Sequence, residues 1–377
     1  MRAFSFELRP TGLRPDNRGY RGTPFLTVAQ NVKVKNKALE YYVGEMETFP
    51  TLSAGAVTVD MTMDWPFPQI FHSGDGIFIC TRTHLYQLVY ASGTWTITDR
   101  LAAYTGHNVN WPWTFADFPG TPVFASANVL VYYDRTDAAW YTYDKNNSHG
   151  GGSNWSSSWY QPVSICNFRG QYIAVGSKTT TTFPSQTRII RWSDIGRFGW
   201  FGHTSDERSN EAGEMYVNAD SDEILLRCLP LSTGIVVYGT FHSYFLRPVM
   251  DPPTYALDLI GGIGISNPLA VGGDEDMHII VDRRGCLWAL APMVDPRNND
   301  YMKPKRLGYE EFLYPLVQGC DPDTGTGMVS VVYNKWENEY FISNGTTSYL
   351  FNEEGLTQVQ RCVSGLLDMK EVRLART

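Results

Sequence analysis

Apolar residues fall in runs of four to six along the chain, bounded by Gly, Asn, Asp or Ser, and most runs are followed by a second strand-like run. Gly76–Cys80 leads to His84–Tyr90 and Thr94–Thr98, and Val129–Tyr133 leads to Ala139–Tyr143. Gln171–Val175 leads to Thr187–Trp192, and Gly234–Tyr238 leads to Ser243–Leu246. Met277–Val281 leads to Gly285–Leu290, and Tyr340–Ile342 leads to Ser348–Phe351. Each is a candidate β-hairpin, and the three-to-four-residue spacing of an amphipathic helix is hard to find. The first runs centre near residues 78, 131, 173, 236, 279 and 341, about 40–60 residues apart, close to the ~40–50 of propeller repeats. This spacing predicts an all-β chain: a β-propeller of about six or seven blades, each with an apolar innermost strand. The competing arrangement is a pair of β-sandwiches, but the chain has no obvious linker and no mid-chain break in composition.

Three segments stand outside the repeat. Residues 1–30, rich in Arg and Pro, read as an extended basic arm preceding a propeller over 31–377. Residues 144–160 are a low-complexity loop anchored by two Trp. Residues 291–315, with four Pro, read as a long insertion holding one helical turn near Glu310–Leu313.

Composition narrows the class further. A length of 377 residues exceeds the ~250–300 at which a single core stops growing, so domains or repeated modules are required. Hydrophobic residues at 43% against 19% charged exclude wholesale disorder. No apolar run approaches the ~18–20 residues of a membrane helix, so no membrane insertion is expected. The start, MRAFSFELRP, has no apolar signal core, which points to synthesis in the cytosol.

The net charge of −8 argues against a sequence-independent nucleic-acid binder. Residues 1–40 nevertheless hold eight cations, among them Arg2, Arg9, Arg14, Arg18 and Arg21, against three carboxylates. Residues 201–280 hold twelve carboxylates against three Arg. These include Asp206, Glu207, Glu211, Glu214, Asp220, Asp222, Glu223, Asp274, Glu275 and Asp276. Solvated surface accounts for both blocks; a docking arm and a polyanion-repelling surface account for them with a function.

Candidate chemistry is sparse. The six Cys form no CxxC pair and read as buried thiols, and the seven His form no HxxxH pair, so no metal or other cofactor is expected. Asp-rich turns such as Asp220–Glu223, Asp274–Asp276 and Asp321–Asp323 do not match the EF-hand pattern and read as turns. Ser193–Trp200 resembles the sialidase Asp-box but is one residue short, which keeps a carbohydrate-active or glycan-binding propeller, for example on a tail fibre, as the alternative function. Trp111, Trp113 and Trp200 lie in aromatic clusters of the kind enriched at interface hot spots, and equally of the kind found in blade cores.

The order Arg188-Ile-Ile-Arg-Trp-Ser-Asp194, Asn210-Glu-Ala-Gly213, Asp222-Glu-Ile224, then Gly234–Tyr238 and Ser243–Leu246, resembles the tail-nozzle or packaged-DNA-stabilisation proteins of short-tailed bacteriophages. Gln30–Val34 and Ala38–Glu40 are similar to the family's entry strands. The resemblance implies a non-enzymatic virion protein of the phage tail, made in the host bacterium. It implies a ring homo-oligomer of six copies below the portal and adaptor, meeting tail fibre or needle proteins. The ring would form the exit channel for double-stranded DNA, help retain the packaged genome and let the duplex pass without specific binding. On that reading the acidic block of 201–280 faces the channel, while the five arm arginines with Trp111, Trp113 and Trp200 make assembly contacts.

Overall fold

The computed structural model describes residues 65–101, 111–144, 162–176, 187–201, 212–217, 222–249, 254–292, 304–320 and 327–359, isolated positions excepted. It also describes position 302 and short stretches at 11–13, 25–26, 32–35, 38–41, 53–54, 57–59 and 366–367. The loop 145–160 and all five arm arginines lie outside the described residues.

The chain is a six-bladed β-propeller. Blade one consists of Gln69–Ser73, Gly76–Cys80, Leu85–Ala91 and Thr94–Asp99, paired antiparallel in that order from the axis outward. Blade two follows with Thr114–Phe118, Thr121–Ser126, Val129–Asp134 and Ala139–Asp144. In blade three, Ser164–Phe168, Gln171–Val175 and Ile189–Asp194 are followed by an outer edge shared between Arg197–Phe201 and Gly213–Tyr216. Blade four is Leu225–Leu231, Gly234–Gly239, Ser243–Val249 and Thr254–Gly261. Blade five is Val271–Gly273, His278–Val281, Leu287–Leu290 and Lys305–Gly308. Blade six is Ser330–Asn334, Glu339–Ser343, Ser348–Asn352 and Gly355–Val359.

The six apolar runs map one to a blade, but they are not the innermost strands. Five are second strands, and Val129–Asp134 is a third strand. A second strand has a strand on each side within its sheet and a neighbouring blade over each face, so both of its faces must be apolar. Blade four shows the consequence. Ile235 and Val237 pack with Ile173 and Ile190 of blade three, while Val236 and Tyr238 pack with Val271 and Ile280 of blade five. Innermost strands face the axis on one side and tolerate polar residues there.

Three buried polar residues of innermost strands link consecutive blades. Each opens an innermost strand, and its side-chain oxygen accepts a backbone N–H on or beside the innermost strand of the next blade. Gln69 takes the N–H of Trp113 at 2.6 Å, Thr114 that of Ile165 at 3.1 Å, and Ser164 that of Cys228 at 3.1 Å. Between blades five and six the bond is backbone to backbone, Val331 N–H to Leu269 C=O at 2.8 Å.

The segment expected as an insertion at 291–315 is shorter than read. Lys305–Gly308 is the outer strand of blade five, and a helix then spans Glu310–Val317. That helix buries Leu313, Leu316 and Val317 over the seam between blades five and six. Described strands near both ends of the sequence meet the ring. Thr11–Leu13 pairs antiparallel with Gly355–Val359 on the rim of blade six, with Phe25–Leu26 beyond it. Leu366–Leu367 runs parallel to Gln69–Ser73 of blade one.

Candidate functional site

The innermost strands of all six blades enclose an axial cavity of about 340 Å³. Every blade contributes apolar residues to its wall, among them Ile70, Phe115, Ile165, Leu229, Val271 and Val332. Asp117, Cys166, Arg227 and Tyr333 are the ionisable groups on that wall among the described residues. Asp117 is half-buried, and its carboxyl is pushed up to about 6, chiefly by desolvation and secondly by the charge of Asp75. A bond from the Gly74 N–H and the charge of Arg135 oppose the rise. Asp117 Oδ1 and Asp75 Oδ2 are both buried without a hydrogen-bond donor among the described residues.

The turns joining first to second strands open on one face of the ring, and two of them form a rim site. Asp274, Glu275 and Asp276 of blade five meet Lys335 and Trp336 of blade six around a cavity of about 390 Å³. Lys335 Nζ stands 3.6 Å from Asp274 Oδ2, and Trp336 is 56% exposed. Asp274 Oδ1 also accepts the backbone N–H groups of Asp276 and Met277, at 3.0 and 3.4 Å, so the acidic triplet is a self-capped turn.

The acidic residues singled out from the sequence do not form one surface. Glu275 and Asp276 are exposed, Asp274 is partly buried in the rim site, and Asp222 is exposed in the turn entering blade four. Glu214 is exposed at the outer edge of blade three, 3.0 Å from Arg191. Asp206, Glu207, Glu211 and Asp220 lie outside the described residues.

Glu223 corrects the expectation of a channel-facing carboxylate, because it is fully buried. Its carboxylate accepts the Phe241 N–H at 3.0 Å and lies 2.7 Å from His242 Nδ1. A buried carboxylate requires such donors, and here they come from a turn of its own blade.

Trp111 and Trp113 are likewise corrected: at 2% and 0% exposed they are core residues and offer nothing to a neighbouring copy. Trp113 packs with Phe78 and Phe124 between blades one and two and donates its Nε1–H to Thr81 C=O at 2.9 Å. Trp200 lies in the strand Arg197–Phe201, and its side chain is outside the described residues.

The described residues behind the main part of the phage resemblance lie in blades three and four. Trp192 pairs with Gly213, where a Cβ would approach the indole ring to 2.5 Å, so this position requires glycine. Ser193 Oγ accepts the Tyr172 N–H, and its carbonyl accepts from Gln171 Nε2, both at 2.9 Å. The turn that resembles an Asp-box follows this strand and presents Ile195, 51% exposed, to solvent. The signal for the axial site was absent from the sequence, since Asp117, Cys166 and Arg227 belong to three different blades.

No family model matches the chain, and no curated protein is significantly similar to it. Solved structures are similar at the level of overall shape. PorZ, a bacterial surface component of the type-IX secretion system of Porphyromonas gingivalis, superposes with a TM-score of 0.43 at 11% identity over 81% of this chain. This chain spans 34% of the PorZ chain. The β-propeller domain of Cps50 (Swd1) from Myceliophteria thermophila gives 0.42 at 10% identity, covering 78% of this chain and 84% of the domain.

Proposed function

We propose that this protein is a structural subunit of a short-tailed phage tail, one of six copies in a nozzle ring below the portal and adaptor. The observation that carries the reading is the placement of the family-like residues. Trp192, Ser193 and Gly213 commit their functional groups to contacts within blade three, and Glu223 commits its carboxylate to a turn of blade four. What the motif specifies is a rigid module, as a building block needs and a catalyst does not. The exposed Glu275 and Asp276, with Asp222, supply negative charge that repels a passing duplex of one phosphate per ~1.7 Å of axis.

Light scattering after size exclusion, with negative-stain imaging of the same fraction, tests the proposal. A sixfold ring is the expected outcome, and a monomer at every concentration and salt overturns it.

A glycan-binding propeller is the second reading. It is favoured by Trp336, whose exposed indole stands beside Asp274, Glu275, Asp276 and Lys335, an apolar face next to polar groups. Retention on a glycan array that is lost in Trp336→Ala, from a protein that forms no ring, would establish this reading in place of the first.

A further inference from the structure

Cys166 and Cys228 stand on the innermost strands of blades three and four. The Cys228 thiol reaches across the seam to donate to Ile173 C=O at 3.5 Å, and Ile173 is the cross-strand partner of Cys166. Both residues pack in the core cluster that fills this seam, and Ser164 Oγ lies 3.6 Å from Cys228 Sγ. Neither is in a disulfide. Cys166 lines the axial cavity, whereas Cys228 is wholly buried behind it.

Their ionisation is unequal. Burial raises Cys166 well above the ordinary thiol value. Burial opposes the ionisation of Cys228 too, but the bonds from Cys166 and Ser164 and the charge of Arg227 outweigh it and leave that thiol lowered. Cys166 thus borders the cavity while nearly covered, and Cys228 behind it is the more readily ionised of the two. Cys80 and Cys286 lie in blades one and five, and Cys320 follows the helix.

We propose that Cys166 and Cys228 are a redox-reactive dithiol that small-molecule disulfides reach through the axial cavity and convert to a disulfide across the seam of blades three and four. In the first exchange the Cys166 sulfur bonds one sulfur of the reagent. The reagent's S–S bond breaks, and its other half departs as a thiol carrying the Cys166 proton. In the second, the Cys228 sulfur attacks Cys166, breaks the mixed disulfide and releases the second small thiol with the remaining proton. Two protein thiols lose two electrons and two protons, and one small disulfide becomes two thiols.

The full-length protein is incubated with excess oxidised glutathione, quenched in acid, alkylated, and analysed by intact mass and non-reducing peptide mapping. The expected product carries two fewer alkyl groups than the unoxidised control and yields a peptide joining Cys166 to Cys228. In Cys228→Ser the reaction stops at one glutathione on Cys166; in Cys166→Ser, Cys228 stays reduced. Should either variant fail to fold, the linkage map of the unaltered protein decides by itself. Both thiols remaining reduced, a stable glutathione adduct on Cys166 without closure, or pairing of either residue with another cysteine overturns the proposal.

Discussion

The carboxyl of Asp117 keeps its proton to about pH 6, well beyond an exposed aspartate, because burial and the Asp75 charge both disfavour the anion. A folded-state value above the unfolded one means a stabilising contribution that is complete below about pH 4 and is lost as pH rises through 6. Asp117→Asn removes the penalty at neutral pH. Thermal melts should show the variant more stable than the parent at pH 7.5 by about 1 kcal/mol, after discounting for solvent screening. The two should converge by pH 4.5. A difference independent of pH would assign the effect to packing. None of this was legible beforehand, since Asp117 and Asp75 approach only when blades one and two pack. Glu223 went astray for the same reason: charge counting treats every carboxylate as surface, and the Phe241 and His242 donors that bury this one are set by a turn on the next strand pair.

Strand-scale patterning carried further. The short apolar runs identified one strand of every blade, because a strand covered on both faces must be continuously apolar. Their rank within the blade was misread, because innermost strands such as Gln69–Ser73 and Ser164–Phe168 open with polar residues that hydrogen-bond the next blade. Gln69, Thr114 and Ser164 share no residue type, so their common role was invisible as a repeat. The aromatic clusters were ambiguous in the same way, since a Trp-rich run suits a seam between blades as well as a seam between subunits. Chemical denaturation separates the two. Trp113→Ala should cost about 3–5 kcal/mol by opening the core between blades one and two. Trp336→Ala, on the rim, should stay within about 0.5 kcal/mol.

At the scale of the whole ring, the chain ends take part at different radii. Thr11–Leu13 extends the rim of blade six, while Leu366–Leu367 lies against the inner strand of blade one. Removing residues 366–377 takes away the inner pairing. The truncated protein should melt lower by about 2–4 °C for each kcal/mol lost, with faster proteolysis near blade one. An unchanged melt would show that the inner strand of blade one holds without it.

On the proposed nozzle reading, the axial cavity has a geometric corollary for genome passage. At about 340 Å³ it suits a small solute. It cannot admit a double helix whose major groove alone is ~12 Å across. Any nucleic acid travelling through an assembly of these subunits must therefore thread the gap between them, so the groups it brushes past belong to blade rims and turn-bearing faces. If the proposed ring conducts DNA, charge-reversal at Glu275 and Asp276 would alter ejection, whereas plugging the hole in an individual protomer would leave traffic untouched.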